Sequence, residues 1–243
     1  MNPPRKKSTK AMENNTFVDH LTALRKTLIS CVIATALLYP LCFYLSPHAI
    51  NALVRWSFPE SMGALHYFSP MEVFVVQLKM ALALSLALAF PWNIFQLWRF
   101  LLPALHRNER RILGGWIVAS TVLFLGGIAF CIGFIIPLLM TFSASFATPE
   151  LRPILGISHF LQLTGWLSLA FGAMFQAPVI VLFLVRFGIL SADALRQKRP
   201  YVIVAIFIVA TLITPPDVIS QIALAIPSWL LFELGLLFAK KIM

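Results

Sequence analysis

The sequence predicts an all-α integral membrane protein with six transmembrane helices. The 243-residue chain is 60% hydrophobic and 12% charged, and a soluble core could not bury that much apolar surface. Six apolar stretches are separated by short polar segments, and a helix needs about 20 apolar residues to cross the hydrocarbon layer of a membrane. The predicted spans are 27–45, 72–102, 112–142, 160–187, 201–213 and 218–239. The fifth is too short to cross comfortably.

The basic residues predict how the chain is oriented. Its net charge is +10, but sixteen of the 19 basic residues fall in short segments on one side of the predicted spans. The loops on the other side hold only Arg55 and Arg152. This asymmetry is typical of membrane topology rather than of nucleic-acid binding, so both termini are expected in the cytoplasm.

The sequence outside the predicted spans indicates few further helices and no second domain. Residues 1–16 are expected to form a flexible basic cytoplasmic tail, and 17–243 a single domain, because no repeat or linker interrupts them. The apolar stripe of 17–25 predicts a short amphipathic helix on the cytoplasmic surface before span one. Residues 49–56 predict a short helix over the outer face. Prolines inside four spans predict kinks, at Pro91, Pro137, Pro178 and Pro227.

No pattern of an enzyme is present. The chain has no Walker loop, metal-ligand spacing or nucleophile constellation, so no catalytic residue, metal or cofactor is predicted. The informative residues are polar side chains at membrane depth, because an ionised group at mid-bilayer costs about 2.5–3.5 kcal/mol. They are Glu72, Lys79, Gln96, Gln176, Asp217 and Glu233.

Two outer regions carry such groups. Glu72 and Lys79 are two helical turns apart on one face and are expected either to approach a common polar pocket or to extend separately to the interface. Thr214, Pro215, Pro216 and Asp217 form a predicted tight turn in which Asp217 caps the last span.

A further acidic candidate lies in a cytoplasmic loop rather than at membrane depth. Glu109 is surrounded by basic residues in the second connection. It is expected either to neutralise them and favour the start of span three through the helix dipole, or to receive an arginine from a partner.

A series of short motifs runs in order along nearly the whole chain. They are FVDHLTALR at 17–25, SPMEVF at 69–74, QLWRF at 96–100, PAL at 103–105, ERR at 109–111, FGAMF at 171–175, RPYV at 199–202, TPPDVISQ at 214–221 and AIP at 225–227. Together they resemble the TatC family, the multi-spanning receptor subunit of the twin-arginine (Tat) protein translocase.

The resemblance implies a multi-pass protein of the plasma (inner) membrane with a concave, glove-like arrangement and short fifth and sixth spans. It implies binding of twin-arginine signal peptides on folded cargo, with export driven by the proton-motive force. The implied partners are the single-span subunits TatA and TatB and further copies of the chain in a lipid bilayer. No cofactor, metal or nucleic acid is implied.

The resemblance also implies a signal-peptide site, with one departure. Of the carboxylates that the resemblance implies, only Glu109 is present, and the signal-peptide residues that we expect are Asp19, His20, Leu21, Arg25, Phe100 and Glu109. The family usually has a glutamate where this chain has Ala23. Because Asp19 lies one helical turn before Ala23, we expect Asp19 and Glu109 to receive the two signal arginines. The other interpretation is that Asp19 is an acid favoured by a helix N-terminus.

A second departure concerns the site shared by TatA and TatB. The family commonly has glutamate where this chain has Gln176, which can form hydrogen bonds but carries no charge. We expect Gln176, Thr211 and Thr214 to form a partner-helix site. Alternatively, Gln176 satisfies backbone groups freed by Pro178.

Two other functions remain open from the sequence. The chain could be a degenerate TatC-like paralogue with a structural or recruiting role. A secondary transporter of small solutes is less favoured, because such proteins bind substrate between internal repeats and this sequence has none.

Overall fold

The computed structural model describes residues 7–57, 65–101, 110–146, 156–213 and 218–242. Within these ranges the chain is helical, with a short bridge between His66 and Gly156. The helices are α1 (Lys7–Ser57), α2 (Pro70–Leu101), α3 (Arg110–Phe130), α4 (Ile136–Ser145), α5 (Ile157–Met174), α6 (Ala177–Arg186), α7 (Ala192–Gln197), α8 (Arg199–Ile213) and α9 (Val218–Ile242).

Five segments of the described chain are long and apolar enough to cross a membrane. They are Leu21–Ser57, Pro70–Phe100, Gly114–Ser145, Ile157–Arg186 and Gln221–Lys240. The apolar part of α8 is shorter, as predicted for the fifth span. The short sixth span stays a prediction: α9 has 25 residues, and its apolar part, Gln221–Lys240, is the shortest of these five segments at 20 residues. The count of six crossings stays a prediction.

The helix α1 is longer than the sequence predicts. Its 51 residues run without interruption from Lys7 to Ser57, so the described part of the predicted tail is helical and no separate surface helix precedes the first span. Residues 49–56 are likewise the last turns of α1 and not a helix of their own.

At Pro47, inside α1, a side chain takes the place of the missing backbone donor. Proline cannot bond the carbonyl four residues earlier, here that of Phe43. The Ser46 hydroxyl donates to this carbonyl at 2.8 Å. The following turns bury Ile50 and Leu53 in the main apolar core, which explains why the helix continues past the predicted span.

The other prolines have different effects. Before Pro137 the chain forms a π-helical turn, Cys131–Ile135, in which the Ile136 N–H bonds the Cys131 carbonyl. Pro178 lies in the first turn of α6, after a break that ends α5. Pro91 and Pro227 lie inside the continuous helices α2 and α9.

Two close helix contacts fix the packing of the bundle. A Cβ on Gly127 of α3 would lie 2.6 Å from the Phe171 carbonyl oxygen of α5, and one on Gly235 of α9 would lie 2.9 Å from Pro178 Cα of α6. Only glycine allows backbones to approach this closely, which is typical of helix packing in membranes. Phe171 is itself fully buried.

Candidate functional site

The start of α2 and the start of α5 meet at the predicted outer face. The Glu72 carboxylate accepts hydrogen bonds from the Phe68 N–H at 2.7 Å and from the Ser158 N–H at 3.3 Å. Beside it, the Ile157 N–H donates to the His66 carbonyl at 2.9 Å. Glu72 therefore satisfies one backbone donor that the N-terminus of α5 leaves open and one in the segment before α2, and it joins two segments that are far apart in sequence.

Lys79 lies deeper along the same side of α2. Its ammonium donates to the Gln162 side-chain oxygen on α5 at 3.1 Å. Both predicted residues of this region thus face α5, but Glu72 bonds backbone groups at the helix end, whereas Lys79 lines a cavity of about 180 Å³ between α2 and α5. The remainder of the predicted outer site, Thr214, Pro215, Pro216 and Asp217, lies outside the described residues.

Gln176 forms a contact that the sequence did not reveal. It occupies the break between α5 and α6, and its amide donates to the Ser120 carbonyl of α3 at 2.9 Å. The acceptor belongs to a neighbouring helix rather than to the groups freed by Pro178. This half-buried side chain therefore joins α3 to α5 and α6.

Thr211 lies near the end of α8 and is exposed. Its hydroxyl donates to the Phe207 carbonyl at 2.8 Å and accepts from the Gln221 amide of α9 at 2.5 Å. Gln176 and Thr211 have no hydrogen-bond partner in common. The two described members of the predicted partner-helix site thus have different hydrogen-bond partners, and Gln221 lies beside Thr211.

The predicted signal-peptide residues of α1 lie on a single helix. Leu21 and Arg25 are exposed, and Ala23 is half-buried. The backbones of Asp19 and His20 belong to α1, while their side chains lie outside the described part of the chain.

The second half of the predicted site lies at the end of α2. Phe100 is half-buried one residue before the end of that helix, and Glu109 lies outside the described residues. A polar contact that sequence reasoning missed joins α1 to α2 near this end. The Ser30 hydroxyl accepts from the Gln96 amide at 2.5 Å and from the Trp92 indole at 3.2 Å.

An aromatic cluster packs behind this region. Trp98 of α2 lies 5.4 Å from Trp116 of α3 and 5.0 Å from Phe183 of α6, measured between ring centroids.

An ion pair joins α8 to α9. The Arg199 guanidinium of α8 lies 2.6 Å from the Glu233 carboxylate of α9. Glu233 is thus a membrane-depth acid whose charge is balanced within the bundle.

These contacts define a class of protein. The polar side chains described above join one helix to another, and no three His, Cys, Asp or Glu side chains in the described part of the chain lie together as metal ligands. Large apolar side chains are exposed on the long helices, including Leu37 at 76% and Val122 at 64%. This arrangement is that of a multi-pass helical membrane protein whose polar groups join its helices.

Comparisons with known proteins define the family. The family described as Sec-independent protein translocase protein (TatC) matches residues 19–227. Proteins named Sec-independent protein translocase protein TatC from Escherichia coli and Haemophilus influenzae are 37% and 36% identical to this chain. The alignments cover 92% and 94% of this chain and 88% and 90% of those proteins.

Solved structures agree with this result. A crystal structure described as Twin Arginine Translocase Receptor- TatC in DDM superposes with a TM-score of 0.82 and 28% identity, over 90% of this chain and 99% of that chain. A second, described as Twin Arginine Translocase Receptor- TatC, gives 0.81 and 30%, over 91% and 98%. The chain belongs to the TatC family. It is a multi-pass membrane protein of the Tat translocase and functions in protein transport, not as an enzyme.

Proposed function

We propose that this chain is the receptor subunit of the twin-arginine translocase. It binds twin-arginine signal peptides on its cytoplasmic face and assembles with TatA, TatB and further copies of itself. It thereby exports folded proteins with energy from the proton-motive force. Both termini lie in the cytoplasm.

One observation carries this proposal. The described fold matches, over nine-tenths of its length, a solved protein whose description calls it a twin-arginine translocase receptor. The match extends over 99% of that protein. Fold alone does not define function, but motifs such as QLWRF and RPYV lie on α2 and α8, which form polar contacts described above.

The geometry of α1 and α2 supports a receptor surface at the cytoplasmic end. The Ser30 contact with Gln96 holds the two helices together. From Ser30 the helix α1 continues toward its N-terminus, and Leu21 lies about 14 Å beyond it at 1.5 Å per residue. The exposed Leu21 and Arg25 are therefore offered to a ligand beside the end of α2, where Phe100 lies.

Acidic side chains supply the charge in this proposal. A carboxylate binds an arginine through paired, charge-assisted hydrogen bonds, which a lysine cannot form with the same geometry. Asp19 and Glu109 are the two carboxylates that we assign to the signal arginines. His20 and Phe100 complete the walls of the pocket.

The proposed site for a TatA or TatB helix lies on other helices than the signal-peptide site. Gln176 lies in the break between α5 and α6, whereas Thr211 lies near the end of α8 and Thr214 follows that helix in the sequence. A single-span helix of TatA or TatB crosses about 30 Å of hydrocarbon. Such a helix could contact Gln176 with one half and the threonines with the other.

One observation favours the alternative of a degenerate, structural paralogue. Ala23 carries no charge at the place where the family usually has a carboxylate, and α1 presents no acid one turn later either, since Thr27 is uncharged. In this alternative the chain recruits TatA and TatB but does not bind signals.

Photo-crosslinking of signal peptides separates the possible functions. A photoreactive residue at Leu21 is crosslinked in membranes to a cargo with a twin-arginine signal, and the same cargo with a twin-lysine signal is the control. A receptor crosslinks the first and not the second. A structural paralogue copurifies with TatA and TatB without crosslinking, and a solute transporter does neither. Equal crosslinking of both signals would contradict the proposal.

A further inference from the structure

A groove between α2 and α5 has a polar end and an apolar length. Its volume is about 180 Å³. Lys79, Ser158 and Gln162 line its outer part, and the deeper part is lined by apolar residues, among them Leu86, Trp166 and Leu169. The two helices are parallel here, because the start of α2 bonds the start of α5 through Glu72.

Small residues create the groove. Gly165 of α5 faces Ala83 of α2, and even a Cβ on Gly165 would lie 3.9 Å from the Ala83 Cβ. Trp166, which borders the opening, is 66% exposed. The groove is therefore open to the surrounding lipid rather than sealed inside the bundle.

Lys79 gives the groove a charge. The side chain is exposed, and in the described part of the chain its ammonium contacts the Gln162 amide oxygen and forms no ion pair. The nearby acid, Glu72, is already bonded to the Phe68 and Ser158 N–H groups. A cation at membrane depth favours an anionic partner.

The dimensions decide what kind of partner fits. The lining residues of α2 run from Val76 to Leu86, which is about 15 Å of helix, or half of the ~30 Å hydrocarbon layer. This is the depth of one leaflet, which a single acyl chain spans. A helix, about 10 Å across with its side chains, is too wide.

We propose that this groove binds one anionic phospholipid of the outer leaflet, with the headgroup phosphate on the Lys79 ammonium and an acyl chain along Ala83 and Gly165. A headgroup of net negative charge is favoured because a zwitterionic one brings its own cation toward Lys79. The lipid covers the apolar length of the groove and fills the space between α2 and α5. This site is independent of the receptor proposal.

Native mass spectrometry of the purified full-length chain tests whether the Lys79 ammonium selects an anionic headgroup. The probe is an equal mixture of phosphatidylglycerol and phosphatidylcholine with identical acyl chains. The unaltered protein should retain phosphatidylglycerol preferentially. Lys79→Gln should lower the ratio of the two lipids about fivefold, as expected for one lysine near a membrane surface, and Lys79→Arg should keep it. The matched control is Lys198→Gln, an exposed lysine between α7 and α8. An unchanged ratio in Lys79→Gln would overturn the assignment of the headgroup.

A larger side chain in the groove tests whether an acyl chain binds there. Gly165→Leu should remove retention of both lipids, whereas Gly126→Leu, at an exposed glycine with no atom within 4 Å of its Cβ position, should not. Should Gly165→Leu fail to fold, phosphatidylglycerol with a photoreactive acyl chain can be crosslinked to the unaltered protein. Crosslinks within 76–86 and 158–169 support the site. Retention unaffected by Gly165→Leu, or crosslinks confined to other helices, would overturn it.

Discussion

The Glu72 carboxylate, in the first turn of α2, accepts a hydrogen bond from the Ser158 N–H, in the first turn of α5, at 3.3 Å. The residues are 86 positions apart. The acid lies at the positive end of the α5 dipole, where a negative charge is favourable. Its other oxygen accepts from Phe68, so one side chain ties the connection before α2 to the start of α5.

Loss of this carboxylate should loosen the outer end of the bundle. We expect Glu72→Ala to lower the free energy of unfolding by about 1–2 kcal/mol, because hydrogen bonds to charged groups contribute about 1.5–3 kcal/mol and this site is half-exposed. Urea unfolding in detergent, followed by tryptophan fluorescence, measures it. Met71→Ala, at an adjacent side chain that is 68% exposed, is the control. Equal stability of both variants would contradict the prediction.

The crossing of α3 and α5 should tolerate no side chain at Gly127. A Cβ there would lie 2.6 Å from a backbone oxygen of Phe171, which cannot move without displacing α5. We expect Gly127→Ala to cost about 1–3 kcal/mol, as overpacked cores do. Gly126→Ala, one residue away in open space, should be neutral or slightly stabilising because alanine favours helix. Thermal unfolding of the two variants in the same detergent compares them directly.

The sequence predicts most of the long helices because each apolar stretch is near the length that a membrane requires. It misplaces the C-terminal end of α1, since hydropathy carries no information about Ser46, whose hydroxyl bonds the carbonyl that Pro47 leaves free. It also cannot show the π-helical turn, Cys131–Ile135, because the register of backbone hydrogen bonds before Pro137 depends on local geometry.

The polar residues of the candidate site are predictable from the sequence, but their hydrogen-bond partners are not. Membrane depth identifies Gln176 and Lys79 as polar groups that need partners, but the partners are contributed by other helices. Ser120 offers a backbone carbonyl, which no motif records, and Gln162 lies 83 positions from Lys79. Pairs of this kind depend on how the helices pack.

Gln176 should stabilise the contact between α3 and the α5–α6 break. Gln176→Leu removes the donor to the Ser120 carbonyl, and interhelical hydrogen bonds in membranes contribute only about 0.6 kcal/mol on average. We therefore expect a small loss of stability and weaker, but not abolished, copurification with TatA or TatB. Gln176→Glu should be less stable at neutral pH than at acidic pH, because only the protonated acid can donate to that carbonyl. Unchanged stability and copurification of Gln176→Leu would contradict both roles.

The proposed topology places the 65–69 segment outside and the α7–α8 junction in the cytoplasm. In a chain whose three native cysteines are replaced by serine, Tyr67→Cys should react with an impermeant maleimide added to intact cells. Lys198→Cys should react only after the membrane is opened. Both side chains are exposed, so access is decided by the membrane alone. The reverse pattern would overturn the orientation.

The final prediction concerns the carboxylate that Ala23 does not supply. The helix α1 is continuous through this region, so Asp19 and Ala23 are one turn apart, about 6 Å along the axis, and lie on the same face. A carboxylate at Asp19 can therefore act in place of one at Ala23, together with Glu109.

Export of a twin-arginine reporter by cells lacking their own TatC measures this arrangement. We expect Glu109→Ala to abolish export, Asp19→Ala to reduce it strongly, and Ala23→Glu to restore it in the Asp19→Ala background. Asp193→Ala, at an exposed acid in the first turn of α7, should export normally and controls for loss of one negative charge. Full export by Asp19→Ala would remove Asp19 from the site and leave it as an acid favoured by a helix N-terminus. Full export by Glu109→Ala would contradict the receptor proposal itself, because no carboxylate assigned by the family resemblance would then be required to bind the signal arginines.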